Sequence, residues 1–306
     1  MPLAMTPEQE RDFEEKGFVI LENFLTSEEV ARLAAAADEV VERIQKKKGL
    51  DPQTHFQVRN ALAQHDAFLD LVDHPRILPL VIDAIGWNIQ IRTSHLDYRP
   101  PYPADLYAGT VGTGAGDDQE AGYRNVAWHP DLASPEIFMA PSLDGRLPFM
   151  EIKVFYTLFD MTESDCGNLW LVPGSYKRPP AELHAMERQV PADQALELKL
   201  SAGSAVLWRT ATWHCVGPNR SNKTRKIMHV GYHYRWLRPT DYIEQDPELL
   251  ERCSPLRRQL LGALASGGDP LGEDSNIAPA SQYWQNKNSA DLPLRTWAEN
   301  LEKEVA

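Results

Sequence analysis

Two short strands and the turn between them are predicted by one stretch of the chain, Leu198-Lys199-Leu200-Ser201-Ala202-Gly203-Ser204-Ala205-Val206-Leu207-Trp208. Aliphatic and aromatic residues on both sides favour strands, and the central Ser-Ala-Gly-Ser run favours a turn. Thr212-Trp213-His214 follows directly. The pattern therefore predicts a strand, a turn, a second strand and then a histidine at a strand end.

Similar strand patterns occur along the middle of the chain, at residues 88–98, 149–159, 169–172, 196–200, 205–208 and 226–236. Many short strands separated by turn residues predict a sandwich or a barrel. Helix-start patterns at Thr6-Pro7 and at Thr26-Ser27 precede them, and leucines at helical spacing follow them. We expect a mainly β protein with flanking α-helices, forming one domain over residues 1–306. Its parts are a helical N-terminal part (about 5–87), a β core (about 88–238) and a helical tail (about 240–306).

The overall charge limits the classes of partner. The chain has 306 residues and a formal net charge of −13. Such a surface repels phosphate backbones and anionic lipids, so neither nucleic acid nor a membrane is expected as a partner. Three cysteines without a CxxC pair argue against a disulfide scaffold or a structural zinc site. With no apolar secretory segment or membrane-length run, the chain is expected to be cytoplasmic. Its oligomeric state stays open.

The first chemical signal is Trp128-His129-Pro130-Asp131. In an extended segment residues i and i+2 point to the same face, so His129 and Asp131 can reach one ion. A distant histidine such as His214 would complete the two-histidine, one-carboxylate triad of non-haem Fe(II) enzymes. The short pattern alone is not specific, because His95-Leu96-Asp97 also fits it.

A single arginine strengthens this interpretation. Arg225 follows His214 by eleven residues, across the turn-forming run Gly217-Pro218-Asn219. A hairpin over that distance would return Arg225 to the same end of the β core. Its guanidinium matches the two oxygens of a carboxylate and stays charged.

These residues resemble the phytanoyl-CoA dioxygenase family over about residues 6–236. The resemblance rests on the His129, Asp131, His214 and Arg225 set and on several further stretches. These are the opening element through Glu15-Lys16-Gly17-Phe18, Phe24-Leu25-Thr26-Ser27, His74-Pro75 through Gly86, and Cys166-Gly167-Asn168-Leu169-Trp170 before Pro173-Gly174-Ser175. The fold that it implies is a double-stranded β-helix, the jelly-roll or cupin-like barrel.

The resemblance also implies cofactors and roles. Fe(II) would bind His129, Asp131 and His214, and the distal carboxylate of 2-oxoglutarate would bind Arg225, with O2 as the second co-substrate. Further co-substrate contacts are implied at four positions: His95, Tyr156, Gln57 and Arg59.

The chain departs from the family pattern at three positions. Tyr176 stands where the family often has histidine, Val216 stands where many members have a serine that contacts 2-oxoglutarate, and Pro130 replaces a polar residue. The retained Asp131 counts against a halogenase, in which that carboxylate is lost.

We therefore expect an Fe(II)- and 2-oxoglutarate-dependent dioxygenase that hydroxylates an unactivated C–H bond of a small metabolite or natural product. Its candidate substrate contacts are Trp128, Phe138 and Met139. Two alternatives remain open: a cupin-type metal enzyme that needs no 2-oxoglutarate, and a non-catalytic jelly-roll binding protein.

Overall fold

The protein contains two main antiparallel sheets with helices outside one of them. The computed structural model describes residues 4–101, 117–118, 123–124, 126–131, 148–186, 190–263 and 293–305. The six-stranded sheet has the order β1-β10-β7-β12-β3-β2, and the four-stranded sheet has the order β6-β11-β8-β9. Their strands are β1 (Phe18–Leu21), β2 (Phe56–Arg59), β3 (Ile89–Arg99), β6 (Val126–His129), β7 (Glu151–Thr157), β8 (Leu169–Leu171), β9 (Leu196–Glu197), β10 (Ala205–Arg209), β11 (His214–Val216) and β12 (Arg225–Tyr234). A separate short pair joins β4 (Asp117–Asp118) to β5 (Tyr123–Arg124).

Helices flank the strands at both ends of the chain. They are α1 (Pro7–Glu15), α2 (Ser27–Lys48), α3 (Asp66–Leu69), α4 (Leu78–Ile85), α5 (Pro180–Ala185), α6 (Pro247–Glu251), α7 (Pro255–Leu260) and α8 (Pro293–Val305). Thr6 and Thr26 each form a capping box, with Gln9 and Glu29 respectively. Each box satisfies backbone N–H groups that the first helical turn leaves without partners.

The six-stranded sheet is buried on both faces, and its residues alternate between two cores. In β7, Ile152, Val154 and Tyr156 belong to the core shared with the helices. Phe155 belongs instead to the core between the two sheets, where it meets Trp208 of β10. Because side chains alternate along a strand, the odd-numbered residues of β7 face the four-stranded sheet. This inner face carries the candidate site.

A bulge interrupts the pairing of β12 with β3. Gly231 pairs with Thr93, whereas the next residue, Tyr232, pairs with Ile91, so Arg92 is an extra residue in β3. A bulge of this kind turns consecutive side chains toward one region. Arg92 and Thr93 accordingly both line the same cavity between the sheets.

The predicted mainly β architecture with flanking helices is confirmed. The strands expected at 88–98, 149–159 and 226–236 are observed within one or two residues at each end. The N-terminal part adds two strands, β1 and β2, to the edges of the six-stranded sheet. The division of the chain into one domain with three parts stays a prediction. Within the described residues, no helix is both long and apolar enough to cross a membrane.

Gly203 joins the N-terminal segment to the β core. Its carbonyl accepts a hydrogen bond from the Leu25 N–H, and its own N–H donates to the Thr157 carbonyl. Its φ of +89° lies in the left-handed region, and a Cβ there would lie 2.7 Å from the Leu25 carbonyl oxygen. Strain and a steric clash therefore both oppose any larger residue.

Gly203→Ala should lower the free energy of unfolding by more than about 1 kcal/mol, because alanine is strained at positive φ and meets backbone here. Gly49→Ala is the matched control, since Gly49 also has positive φ (+62°) but has no heavy atom within 4 Å of its added Cβ. Urea unfolding of both variants measures the difference. Equal losses in the two variants would mean that the contact with Leu25 contributes nothing.

Candidate metal site

His129 and His214 are brought together by strand pairing. His129 ends β6, and His214 begins β11 directly opposite it in the antiparallel register. Their ring centroids lie 4.4 Å apart. Asp131 follows β6, where its backbone N–H donates to the Thr210 carbonyl at 2.8 Å. One ligand atom from each of the three residues lies within 4.8 Å of the other two, so together they can hold a metal ion.

A buried lysine accompanies the Asp131 carboxylate. Lys153 Nζ donates to Asp131 Oδ2 at 2.7 Å, and the Lys153 side chain is only 8% exposed. Burial alone would raise the pKa of Asp131, but Lys153, with His214 and His129, holds that pKa below its usual value. The carboxylate is therefore ionised, as a metal ligand must be.

The ring of His214 is oriented by a backbone carbonyl. Its Nδ1 lies 2.9 Å from the Thr212 carbonyl oxygen, which can only accept, so Nδ1 carries the proton. Nε2 is then left with a lone pair, 3.7 Å from Asp131 Oδ2. Burial, with the adjacent His129, lowers the pKa of His214 to about 4. The imidazole is neutral at ordinary pH and suited to bind a metal.

A cavity of about 610 Å³ lies between the two sheets at this end. This volume is within the range of roughly 300–1,000 Å³ that is common for small-molecule sites. The cavity is lined by His55, Gln57, Arg59, Arg92, Thr93, His95, Asp97, Arg99, His129, Asp131, Lys153, Leu169, Trp208, His214, Val216, His229 and Thr240. All three candidate ligands are therefore accessible from one space.

A second His/Asp cluster lies on the six-stranded sheet. His95 and Asp97 of β3 meet His229 of β12, with ligand atoms again within 4.8 Å of one another. The two rings stack with centroids 4.2 Å apart. Among the described residues, His95 Nδ1 and both ring nitrogens of His229 have no hydrogen-bond partner.

The charges around the two clusters distinguish them. Asp97 Oδ2 lies 3.0 Å from Arg225 Nη1 and 3.5 Å from Arg99 Nη2. Burial would raise the pKa of Asp97, but these arginines hold it well below its usual value. Two guanidinium groups beside one carboxylate repel a cation, and burial lowers the pKa of His95 to about 3. The second cluster therefore suits an anionic or hydrogen-bonding ligand better than a metal ion.

Arg225 is fully buried behind Asp97. Its Nε donates to the Gly167 carbonyl at 2.8 Å, and a Cβ at Gly167 would lie 2.5 Å from Arg225 Cδ. The absence of a side chain at Gly167 therefore leaves room for the Arg225 side chain. Asp97 lines the cavity, whereas Arg225 does not. Arg225, which the sequence predicts to bind the co-substrate carboxylate, is therefore already paired with the Asp97 carboxylate.

Of the other predicted positions, Gln57, Arg59 and His95 line the cavity. Two predictions are corrected. Tyr156 is fully buried on the helix-facing side of β7, where its ring lies 6.1 Å from Phe24. Strand alternation places Phe155 on the inner face instead, edge-on to His229.

Trp128 is the second correction, because it points away from its neighbour His129. It is fully buried in a small core with Val172, Leu183 and Trp213, outside the cavity. The same alternation that brings His129 inward sends Trp128 outward. Phe138 and Met139 lie outside the described residues.

Sequence reasoning missed Lys153 and His229. A signal for Lys153 was present, since it is the one basic residue in the strand Glu151-Ile152-Lys153-Val154-Phe155-Tyr156-Thr157. A lysine inside such a strand is exceptional unless it has a partner. His229, in contrast, is brought to His95 only by the pairing of β12 with β3.

Comparison with known families gives one match that spans most of the chain. The model of the phytanoyl-CoA dioxygenase (PhyH) family matches residues 13–227. A curated relative, the probable alpha-ketoglutarate-dependent hypophosphite dioxygenase of Stutzerimonas stutzeri, is 26% identical over 255 residues. That alignment covers 74% of this chain and 78% of the relative.

Solved structures are similar in fold. EctD from S. alaskensis, with 2-oxoglutarate and 5-hydroxyectoine, superposes with a TM-score of 0.57 at 18% identity, covering 85% of this chain and 87% of EctD. The carbocyclase SnoK from nogalamycin biosynthesis, described as non-heme and alpha-ketoglutarate-dependent, gives 0.53 at 20% identity, covering 82% and 91%. At these identities the likeness concerns the fold alone.

The charge argument predicts that a metal binds at His129, Asp131 and His214 only. Anaerobic calorimetric titration of the metal-free protein with Fe(II) should give one ion per chain. His214→Ala should abolish this binding, because it removes one of three ligands. His229→Gln, which alters the second cluster, should retain it. Loss of binding in His229→Gln with retention in His214→Ala would reverse the assignment.

Proposed function

Because the chain belongs to the phytanoyl-CoA dioxygenase family, we propose that it is an Fe(II)- and 2-oxoglutarate-dependent dioxygenase whose metal ligands are His129, Asp131 and His214. Iron, 2-oxoglutarate and O2 are the cofactor and co-substrates of this enzyme class. The observation that carries the proposal is the convergence of two imidazoles and one ionised carboxylate at a cavity wall. A facial set of three ligands leaves coordination positions open for co-substrates.

The donor set fits Fe(II) on chemical grounds. Imidazole nitrogen and carboxylate oxygen are ligands that iron accepts, and the Nδ1–H of His214 is already held by a carbonyl. When bound, the metal supplies the oxidising chemistry. The protein's own residues keep Asp131 ionised and His214 neutral, orient the ligands and line the space for the substrate.

The opposite wall fits 2-oxoglutarate. Arg225 and Arg99 both lie within 3.5 Å of the Asp97 carboxylate, and this pair of guanidinium groups supports binding of the distal carboxylate of the co-substrate at this wall. The unpartnered ring nitrogens of His95 and His229 can hydrogen-bond to a ligand here. Arg225 is the proposed anchor, with Arg99 beside it on the cavity surface.

The proposed reaction is hydroxylation of a small molecule. One oxygen atom of O2 enters the substrate at a C–H bond, the other enters succinate, and 2-oxoglutarate loses CO2. The relatives are named for different outcomes, including carbocyclisation and epimerisation, so placement of the substrate relative to the metal determines the product. The relative named for hypophosphite makes that ion one compound to include in a substrate screen.

The alternative of a cupin-type enzyme independent of 2-oxoglutarate would use the same three ligands. It gives no role to the two guanidinium groups of Arg225 and Arg99 beside Asp97. A non-catalytic jelly-roll binding protein would give no role to the three candidate metal ligands.

Anaerobic addition of Fe(II) and then 2-oxoglutarate should produce a weak visible charge-transfer band, because the keto acid chelates the metal. His129→Ala should lose the band by losing iron. Arg225→Met should keep iron but require about tenfold more 2-oxoglutarate, since it loses a charge-assisted contact. A wild-type protein that binds Fe(II) but forms no band would favour the cupin-type alternative.

Asp97→Asn should tighten the binding of 2-oxoglutarate, because the amide no longer competes as an anion for Arg225 and Arg99. Titration of the same visible band gives the dissociation constant. Asp193→Asn, at an exposed position away from the cavity, is the matched control. Weaker binding in Asp97→Asn would instead mean that Asp97 mainly holds Arg225 in position.

A further inference from the structure

The described lining of the cavity has more basic than acidic side chains, in a protein that is acidic as a whole. Four cationic side chains line it, from three strands of the six-stranded sheet: Arg59 of β2, Arg92 and Arg99 of β3, and Lys153 of β7. Among the described residues, two carboxylates, Asp97 and Asp131, line it with them. The chain as a whole carries a formal charge of −13, so this wall is a local exception.

The excess charge remains after the cofactors are counted. Arg225 and Glu151, which lie just behind the wall against Asp97 and Arg92, cancel each other. The two positive charges of Fe(II) are cancelled by the two negative charges of 2-oxoglutarate. Asp241 also lies behind the wall, where its carboxylate accepts a hydrogen bond from Thr93 Oγ1 at 2.9 Å. Among the described residues, the cations at this wall therefore exceed the carboxylates by one. Unbalanced charge in a cleft is costly and attracts a ligand of opposite sign.

Lys153 is the cation placed nearest to the chemistry. Its Nζ lies 2.7 Å from Asp131 Oδ2, and the side chain is 8% exposed. Once Asp131 shares its charge with a metal ion, its attraction for the ammonium weakens. One N–H of the ammonium donates to Asp131, and the other two can then bind an anionic group beside the metal.

Packing fixes Lys153 in this place. Gly231 of the neighbouring strand β12 pairs with it, and a Cβ at Gly231 would lie 3.4 Å from Lys153 Cγ and 2.8 Å from Glu151 Oε1. Glu151 is itself bound by Arg92 through both oxygens, at 2.8 and 3.0 Å. The absence of a side chain at 231 therefore leaves room for a packed row of charged groups.

Arg59 is a second cation of this wall, and the Asp241 carboxylate lies near it, because the Thr93 hydroxyl donates to Asp241 Oδ2 at 2.9 Å. Arg59 is exposed, and its guanidinium donates to Thr93 Oγ1 at 3.4 Å. No carboxylate of the described residues lies within 4.0 Å of it. Lys153 near the metal and Arg59 nearer to solvent thus form two binding points on the same wall.

We propose that the substrate is a small oxyanion, a molecule with a carboxylate, phosphonate or sulfonate group that Lys153 binds and Arg59 attracts. The proposal rests on the proposed function, because the anion would bind beside the metal and 2-oxoglutarate. It narrows the substrate from small molecules in general to acidic ones. Lys153 and Arg59 are its specificity-determining residues.

The test uses the anaerobic enzyme loaded with Fe(II) and saturating 2-oxoglutarate. The probes are methylphosphonate, methanesulfonate and propionate, with dimethyl sulfone as the neutral probe of similar size. Anions that bind beside the metal should shift the visible band. Their affinities should be at least about tenfold higher than that of the sulfone, and added sodium chloride should weaken their binding. An anion that abolishes the band has displaced 2-oxoglutarate and counts against the proposal.

Lys153→Met should weaken anion binding by about tenfold or more while leaving dimethyl sulfone unaffected. Arg59→Gln should give a smaller loss and a weaker dependence on salt. The matched controls are Lys199→Met and Arg11→Gln, which change exposed cations outside the cavity. The ratio of anion to sulfone affinity separates a charge effect from a general disturbance of the metal ligands.

The two proposals fail in different ways. If no band forms in the wild-type protein, the oxygenase assignment fails, and calorimetry of the Fe(II)-loaded protein still measures anion binding and its loss in Lys153→Met. If the band forms but anions bind no better than the sulfone, or Lys153→Met retains full preference for anions, the oxyanion proposal is overturned and the oxygenase assignment stands.

Discussion

The antiparallel pairing of β6 with β11 is the constraint on which the candidate site depends. It sets His214 directly opposite His129, and Asp131 follows two residues later on the same side. A shift of one residue in this register would turn His214 to the outer face and Cys215 to the inner face. The hydrophobic core formed by Trp128, Trp213 and Cys215 on the outer side opposes such a shift.

The two sheets divide the chemistry between them. The four-stranded sheet carries the candidate metal ligands, and the six-stranded sheet carries most of the cationic and histidine side chains that face them. Helices cover the other face of the six-stranded sheet, so its charged residues are concentrated on one side. Burial strengthens the interactions of these charges, because little water remains to screen them.

Glycines and one bulge make this charged wall possible. Gly231 leaves space beside Lys153 and Glu151, and Gly167 leaves space for the Arg225 side chain. The bulge at Arg92 turns two consecutive residues of β3 toward the cavity. Each feature removes a steric or geometric obstacle at a point where several charged side chains would otherwise compete for room.

The sequence by itself determined the mainly β class, most strand positions, and the residue types of the metal triad, because alternation and ligand spacing are local properties. It did not determine which aromatic residue faces inward, and it placed Tyr156 and Trp128 on the wrong side. It also did not indicate that Asp97 would form an ion pair with Arg225, or that His229 would stack on His95. These contacts join strands far apart in the chain, and only the register and the bulge of the folded sheets bring them together.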